Sequence, residues 1–154
     1  MTELAQRALT VAITQIGQKE DPIGSNWGHP VKDYLASVGI NFPASWCLAF
    51  VHWCYDTAAK QMGINNPLPK TGGVLHAWEL ADLSHKVTGT PQPGDIFIMD
   101  LGHGLGHTGF VELENGPIIN NIEGNTNDTG SREGFEVCRR HRTITPIIIG
   151  YLRY

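Results

Sequence analysis

From Pro91 to the C-terminus the apolar residues recur with a period of two, in five short runs separated by tight turns, and no helical repeat interrupts them. Short strands without helices between them can pair only by reversing direction, so this stretch predicts an antiparallel sheet. The runs are 95–99, 107–113, 118–123, 135–139 and 147–152, and Glu114-Asn115-Gly116-Pro117 reads as the hairpin turn between the second and third. Upstream of Pro91 the period is that of helices. Leu4, Ala8, Leu9, Ala12, Ile13 and Ile16 predict an amphipathic helix over 2–16, stopped by Gly17. Val31, Tyr34, Leu35 and Val38 mark a second, ended by Gly39, and Thr71 caps a fourth over about 72–83 with Val74, Leu75, Trp78 and Leu80 on its apolar face. Helices first and strands second is an α+β arrangement, and 154 residues suit one domain over 1–154.

The third helix, over about 45–62, is apolar around most of its circumference through Leu48, Phe50, Val51, Trp53, Cys54, Tyr55, Ala58 and Met62, which places it centrally. Pro43 and Ser45 suit its start, with Ser45 as N-cap and Cys47 at about the second helical position. Free N–H groups and the positive end of the helix dipole there favour thiolate, the reactive form, over thiol. His52 follows five residues later on the opposite side and cannot activate that thiol; Cys54 reads as a small core residue.

Composition excludes several functions. The net charge is −4 and the 11 Lys and Arg residues are scattered, apart from Arg139-Arg140-His141-Arg142, which reads as an exposed strand end. A nucleic-acid groove needs a basic stripe, and none is present. Three cysteines leave an odd thiol, and Cys47 and Cys54 are two helical turns apart, too far to bridge. No Cys-x-x-Cys pair exists, and His103 with His107 in a glycine loop is a loose spacing for zinc, so no metal or cofactor is expected. Residues 1–7 lack the basic start and apolar core of a secretion signal, and no run is long enough to span a membrane.

A reactive thiol needs a base, and the base needs an acceptor that fixes its tautomer. His107 opens a strand on which it shares a face with Gly109 and Val111, a face from which its ring can point towards a packed helix. Glu123 and Asn125 share a face if their strand continues that far, and pairing through the turn at 114–117 brings His107 near Glu123. His103 is a rival base held less firmly between glycines. The loop 18–28 carries Asp21, Asn26 and Trp27, which together could wall a substrate groove, with Trp46 beside the cysteine as a fourth substrate-binding candidate.

Trp46-Cys47-Leu48-Ala49-Phe50-Val51-His52-Trp53-Cys54 resembles the start of the catalytic helix in CHAP-domain peptidoglycan hydrolases, part of the NlpC-type, papain-like group. Pro91-Gln92-Pro93-Gly94-Asp95-Ile96-Phe97 is similar to that family's lead into its first core strand. Gly106-His107-Thr108-Gly109-Phe110-Val111 is similar to its histidine strand, and Ile122-Glu123-Gly124-Asn125-Thr126 to its acid and asparagine segment. The four motifs come in family order. The resemblance implies a papain-like fold, helices packed on an antiparallel sheet of five or six strands. It implies Cys47 as nucleophile, His107 as base, Glu123 as its orienter and Asn125 as an auxiliary. The implied reaction cuts a stem-peptide amide of bacterial peptidoglycan through a thioester, as an endopeptidase or an N-acetylmuramoyl-L-alanine amidase. The alternatives are acyl transfer on a non-wall substrate and an inactive wall-binding module. With no visible signal, such a protein would be made in the cytoplasm and reach the wall after lysis or by a dedicated secretion machinery, with an inhibitor or immunity protein as a further partner.

Overall fold

The computed structural model describes residues 1–126 and 133–154. Among the described residues four helices, α1 (Glu3–Thr14), α2 (Val31–Ser37), α3 (Cys47–Met62) and α4 (Val74–Leu80), precede a 3-10 turn at Leu83–His85. Six strands follow: β1 (Lys86–Val87), β2 (Ile96–Asp100), β3 (Gly106–Asn115), β4 (Ile118–Thr126), β5 (Glu136–Thr143) and β6 (Ile148–Leu152). They form one antiparallel sheet in the order β1-β6-β2-β3-β4-β5. The α+β arrangement read from the change of period is therefore the fold. The two-residue β1 is the strand that the sequence does not announce; it is too short to show alternation.

The helix α3 is central because its circumference is apolar: Leu48, Phe50, Val51, Cys54 and Tyr55 have essentially no exposed surface. Phe50 meets Phe110 of β3 edge-on at 6.4 Å, and Tyr55 stacks on the same ring at 5.8 Å. Tyr34 of α2 packs edge-on against Phe50 at 5.3 Å and Trp53 at 5.1 Å. Such ring pairs contribute roughly 0.5–1.5 kcal/mol each beyond the area they bury, so they fix the helix on the sheet as well as holding it there. Gly63, at φ 68°, ends α3 in the left-handed conformation that glycine adopts without strain.

Several expected boundaries shift. The first helix stops at Thr14, and Ile13 and Ile16, expected in its apolar stripe, are exposed. The third begins at Cys47 rather than at residue 45, with Trp46 as its N-cap residue and no side-chain cap. Ser45 instead places its hydroxyl 3.4 Å from Glu133 Oε1, so the favoured capping residue type is used elsewhere. The fourth runs only over Val74–Leu80. Gly73 is its N-cap, Thr71 accepts from the Gly73 N–H in a turn, and Leu80 is 56 % exposed instead of buried. The strand expected over 135–139 extends to Thr143, which carries the basic run into the sheet.

Candidate active site

The two faces of the sheet are packed differently. Phe110 and Ile122 belong to the main core with α3, whereas Val111 joins Phe97, Ile119 and Tyr151 in a second, smaller cluster. By strand alternation His107, Gly109 and Val111 share this second side. The face carrying His107 is thus not the one that the body of α3 covers, contrary to the expectation from sequence. The base and the thiol meet instead where the first turn of α3 abuts the end of the sheet. Gly124 allows that approach: a Cβ there would lie 2.7 Å from Trp46 Cζ3 and 2.9 Å from Phe50 Cβ.

His107 and Glu123 come together diagonally across the hairpin. Phe110 pairs with Ile122, and continuing that register sets Gly109 opposite Glu123, two residues from His107 on the same face. With no side chain at Gly109, the Glu123 carboxylate reaches along the strand. His107 Nε2–H donates to Glu123 Oε2 at 2.7 Å, since an ionised carboxylate can only accept. Both side chains are buried, at 1 % and 0 % exposure. The other ring nitrogen, Nδ1, makes no hydrogen bond of standard geometry. Beside the ring is the Cys47 thiol, itself 3 % exposed.

Arg142 completes the cluster from β5. Its Nε donates to Glu123 Oε1 at 2.6 Å and its Nη2 to Oε2 at 2.7 Å, and Asn121 Nδ2 donates to Oε1 at 3.4 Å. Burial pushes the Glu123 carboxyl up, but hydrogen bonds from His107 and Arg142 and their charges pull it down to about 2. Burial likewise opposes a charged His107, and interactions with Cys47 and Glu123 more than reverse this, raising it to about 9. A buried carboxylate is tolerated here because both its oxygens are occupied by charge-assisted donors.

The other sequence candidates fall in different places. Asn125 is buried, at φ 55°, within an irregularity of the β4–β5 pairing between Glu123 and Thr126. The alternation that was to set it on the face of Glu123 is broken there, and Asn121, two residues earlier, touches the carboxylate instead. Asp21 is exposed, Asn26 is half-buried at φ 53°, and Trp27 is half-buried against the main core. Trp46 is wholly buried and cannot line a groove; its indole N–H donates to Glu20 Oε1 at 2.9 Å. Glu20, 4 % exposed, also accepts from the Gly24 N–H at 2.8 Å and so ties the loop to the start of α3. His103 is exposed at φ 55° in its glycine loop. His52 lies 3.1 Å from Ser37 Oγ.

Sequence reasoning missed Arg142, Asn121 and Glu20. Arg142 was read as part of an exposed basic end, yet its side chain is 16 % exposed. Only the register of β5 on β4 could have revealed it. Among the described residues no group of three or more metal-binding side chains occurs, and no helix is long and apolar enough to cross a membrane.

The family model for the CHAP domain matches residues 39–125, a span that holds Cys47, His107 and Glu123 but not Arg142. Among solved structures the fold is similar to the crystal structure of Ly7917, with a TM-score of 0.56 and 17 % identity over 96 % of this chain and 61 % of that one. The structure of Ly7917 with the hydrolyzing product of MDP is similar to the same degree, with a TM-score of 0.56 and 16 % identity over 96 % of this chain and 62 % of that one. The chain thus spans less than two thirds of the length of these proteins. Comparison with curated proteins finds no match.

Proposed function

The chain belongs to the CHAP-domain family, and from that we propose that it is a peptidoglycan hydrolase that uses Cys47 as nucleophile to cut an amide of the stem peptide. The observation that carries the reading is the orientation of one ring. Glu123 holds His107 through Nε2 at 2.7 Å, which leaves Nδ1 for the thiol at the start of α3. The similarity to a protein solved with the hydrolyzing product of MDP supports a cell-wall substrate.

The steps follow from these positions. His107 Nδ1 takes the proton of Cys47, and the thiolate attacks the amide carbonyl carbon. The carbonyl π electrons move to oxygen, where free N–H groups at the start of α3, that of Cys47 included, stabilise the negative charge. Collapse of this intermediate breaks the C–N bond, with the His107 imidazolium protonating the leaving amine. The remaining thioester is hydrolysed by water, whose proton His107 accepts, and the thiol is restored with release of a carboxylate. Asn125 is assigned no step, and residues 1–154 act as one catalytic unit.

Digestion of purified peptidoglycan by the wild type and by Cys47→Ala tests this. Wild type should release fragments whose masses show new amines on stem peptides, for an endopeptidase, or free lactyl ends, for an amidase, and the variant none. A wild type that binds the wall and releases no more than the variant would overturn the enzymatic reading and favour a binding module.

A further inference from the structure

Glu123 has more partners than an orienting carboxylate requires, and the strongest of them lies outside the family match, in a basic run that by composition reads as solvated surface. We infer that Arg142 is a positioning residue for the Cys47–His107 pair, holding the Glu123 carboxylate so that one oxygen stays aimed at His107 Nε2. The inference rests on the hydrolase reading above.

The geometry argues for positioning over neutralisation. A terminal carboxylate rotates over a broad, nearly two-fold torsion and a single hydrogen bond does not fix its plane. A guanidinium that meets both oxygens fixes it, because the fork and the carboxylate are each planar. Here Nε binds Oε1 at 2.6 Å and Nη2 binds Oε2 at 2.7 Å, and Oε2 is the oxygen that accepts from His107. The guanidinium is itself seated 5.9 Å over the Phe97 ring, and that ring lies 6.1 Å from the His107 ring. One aromatic ring therefore neighbours both the arginine and the histidine that bind the carboxylate.

The two roles predict opposite pH effects. Among the described residues the charged groups around Glu123 are His107 from β3 and Arg142 from β5, with Cys138 and Arg140 on the same side of β5 by register and Cys47 beyond His107. If Arg142 acted only as a charge, its loss would relieve repulsion on the imidazolium, and His107 would keep its proton to higher pH. If it aims Glu123, its loss lets the anion leave the imidazolium, and His107 gives up its proton at lower pH.

The test uses the full chain with Arg142→Met, Arg142→Lys, Glu123→Gln and the Glu123→Gln/Arg142→Met double variant. The His107 imidazole titration is followed against pH by NMR, and iodoacetamide alkylation of Cys47 and Cys54 by peptide mass spectrometry, alongside kcat and KM on purified peptidoglycan fragments. Arg142→Met should move the His107 titration down by about one pH unit and lower kcat by about 10–100-fold with KM within about threefold. Arg142→Lys keeps the charge without the fork and should show about half that shift, which serves if the methionine variant does not fold. In the Glu123→Gln background, removing Arg142 should change either quantity by less than about twofold. A His107 titration that stays put or moves up in both Arg142 single variants, or an equal loss with and without Glu123, would overturn the assignment. The expected His107 shifts in a protein that leaves peptidoglycan intact would sustain the role of Arg142 and reject the substrate. Alkylation of Cys47 no faster than that of Cys54 in the wild type would overturn both.

Discussion

Gly109 stands opposite Glu123, and the absence of its side chain is what lets the carboxylate lie along the strand to His107. A Cβ at Gly109 would come within 2.6 Å of the Ile122 carbonyl oxygen, 2.8 Å of Glu123 Cγ and 3.0 Å of Phe97 Cε1. The carbonyl and the packed ring cannot swing away, so Glu123 is the group displaced. Gly109→Ala should cost about 1–3 kcal/mol of stability and about a hundredfold in peptidoglycan hydrolysis, the order expected for an orienting group moved by an ångström. Urea unfolding and initial rates of fragment release would check this; a variant with wild-type rate would show that Glu123 need not touch His107.

The buried cluster makes folding stability depend on pH at both ends. Burial would lower the His107 pKa, but Cys47 and Glu123 lift it to about 9, above its ordinary 6.5. A group raised on folding stabilises fully below its unfolded value and loses that contribution as pH climbs through its folded value. Glu123 has the opposite sign: burial raises it, His107 and Arg142 lower it further, from 4.5 to about 2, so its contribution is present above 4.5 and lost as pH falls towards 2. The thermal midpoint of the wild type should therefore fall between pH 7 and about 9.5 more steeply than that of His107→Gln. Circular dichroism melts at fixed ionic strength would show it; parallel slopes would count against a charged His107 in the native state.

What could be read in the sequence follows from the range of each interaction. Local periodicity was enough for the four helices, the strands β2 to β6 and the α+β order, though not for the two-residue β1, and for the meeting of His107 with Glu123, because a tight turn at 114–117 sets their register. Asn125 escaped the same logic: a local irregularity with positive φ ends the alternation after Glu123, and nothing in Gly124-Asn125-Thr126 announces it. Arg142 was out of reach for another reason. Its contact depends on how β5 pairs with β4, 19 residues from its partner, and a basic cluster is ordinarily solvated. The start of α3 was misplaced by two residues because Ser45 is a better capping type than Trp46, while packing of the indole against Tyr34 at 5.7 Å and its bond to Glu20 decided the matter.

That bond gives a prediction at a distance from the chemistry. Glu20 accepts from Trp46 Nε1 at 2.9 Å and from Gly24 at 2.8 Å, and Trp46 is the residue before Cys47. Glu20→Ala leaves a wholly buried indole N–H without a partner, a loss of about 1–3 kcal/mol, and frees the loop from the helix start. Its denaturation midpoint should fall accordingly, and alkylation of Cys47 should become slower at a given pH as the helix end loosens from His107. Unchanged alkylation with reduced stability would mean that Trp46 supports the fold without setting the position of the thiol.

Cys47 and Cys54 are both buried thiols on one helix, so their behaviour separates local setting from mere burial. Cys54 has no exposed surface, and burial alone pushes its thiol well above the ordinary value, which removes thiolate at neutral pH. Cys47 keeps 3 % exposure at the first residue of α3 beside His107. In the native protein iodoacetamide should modify Cys47 at least about tenfold faster than Cys54, with modification tracking the loss of peptidoglycan hydrolysis. Cys54→Ala removes one buried sulfur from a packed core and should cost about 1 kcal/mol with hydrolysis within about twofold of wild type. Loss of hydrolysis in a stably folded Cys54→Ala protein, or labelling of Cys54 first, would transfer the nucleophile from the helix start to the core and end the reading built on His107.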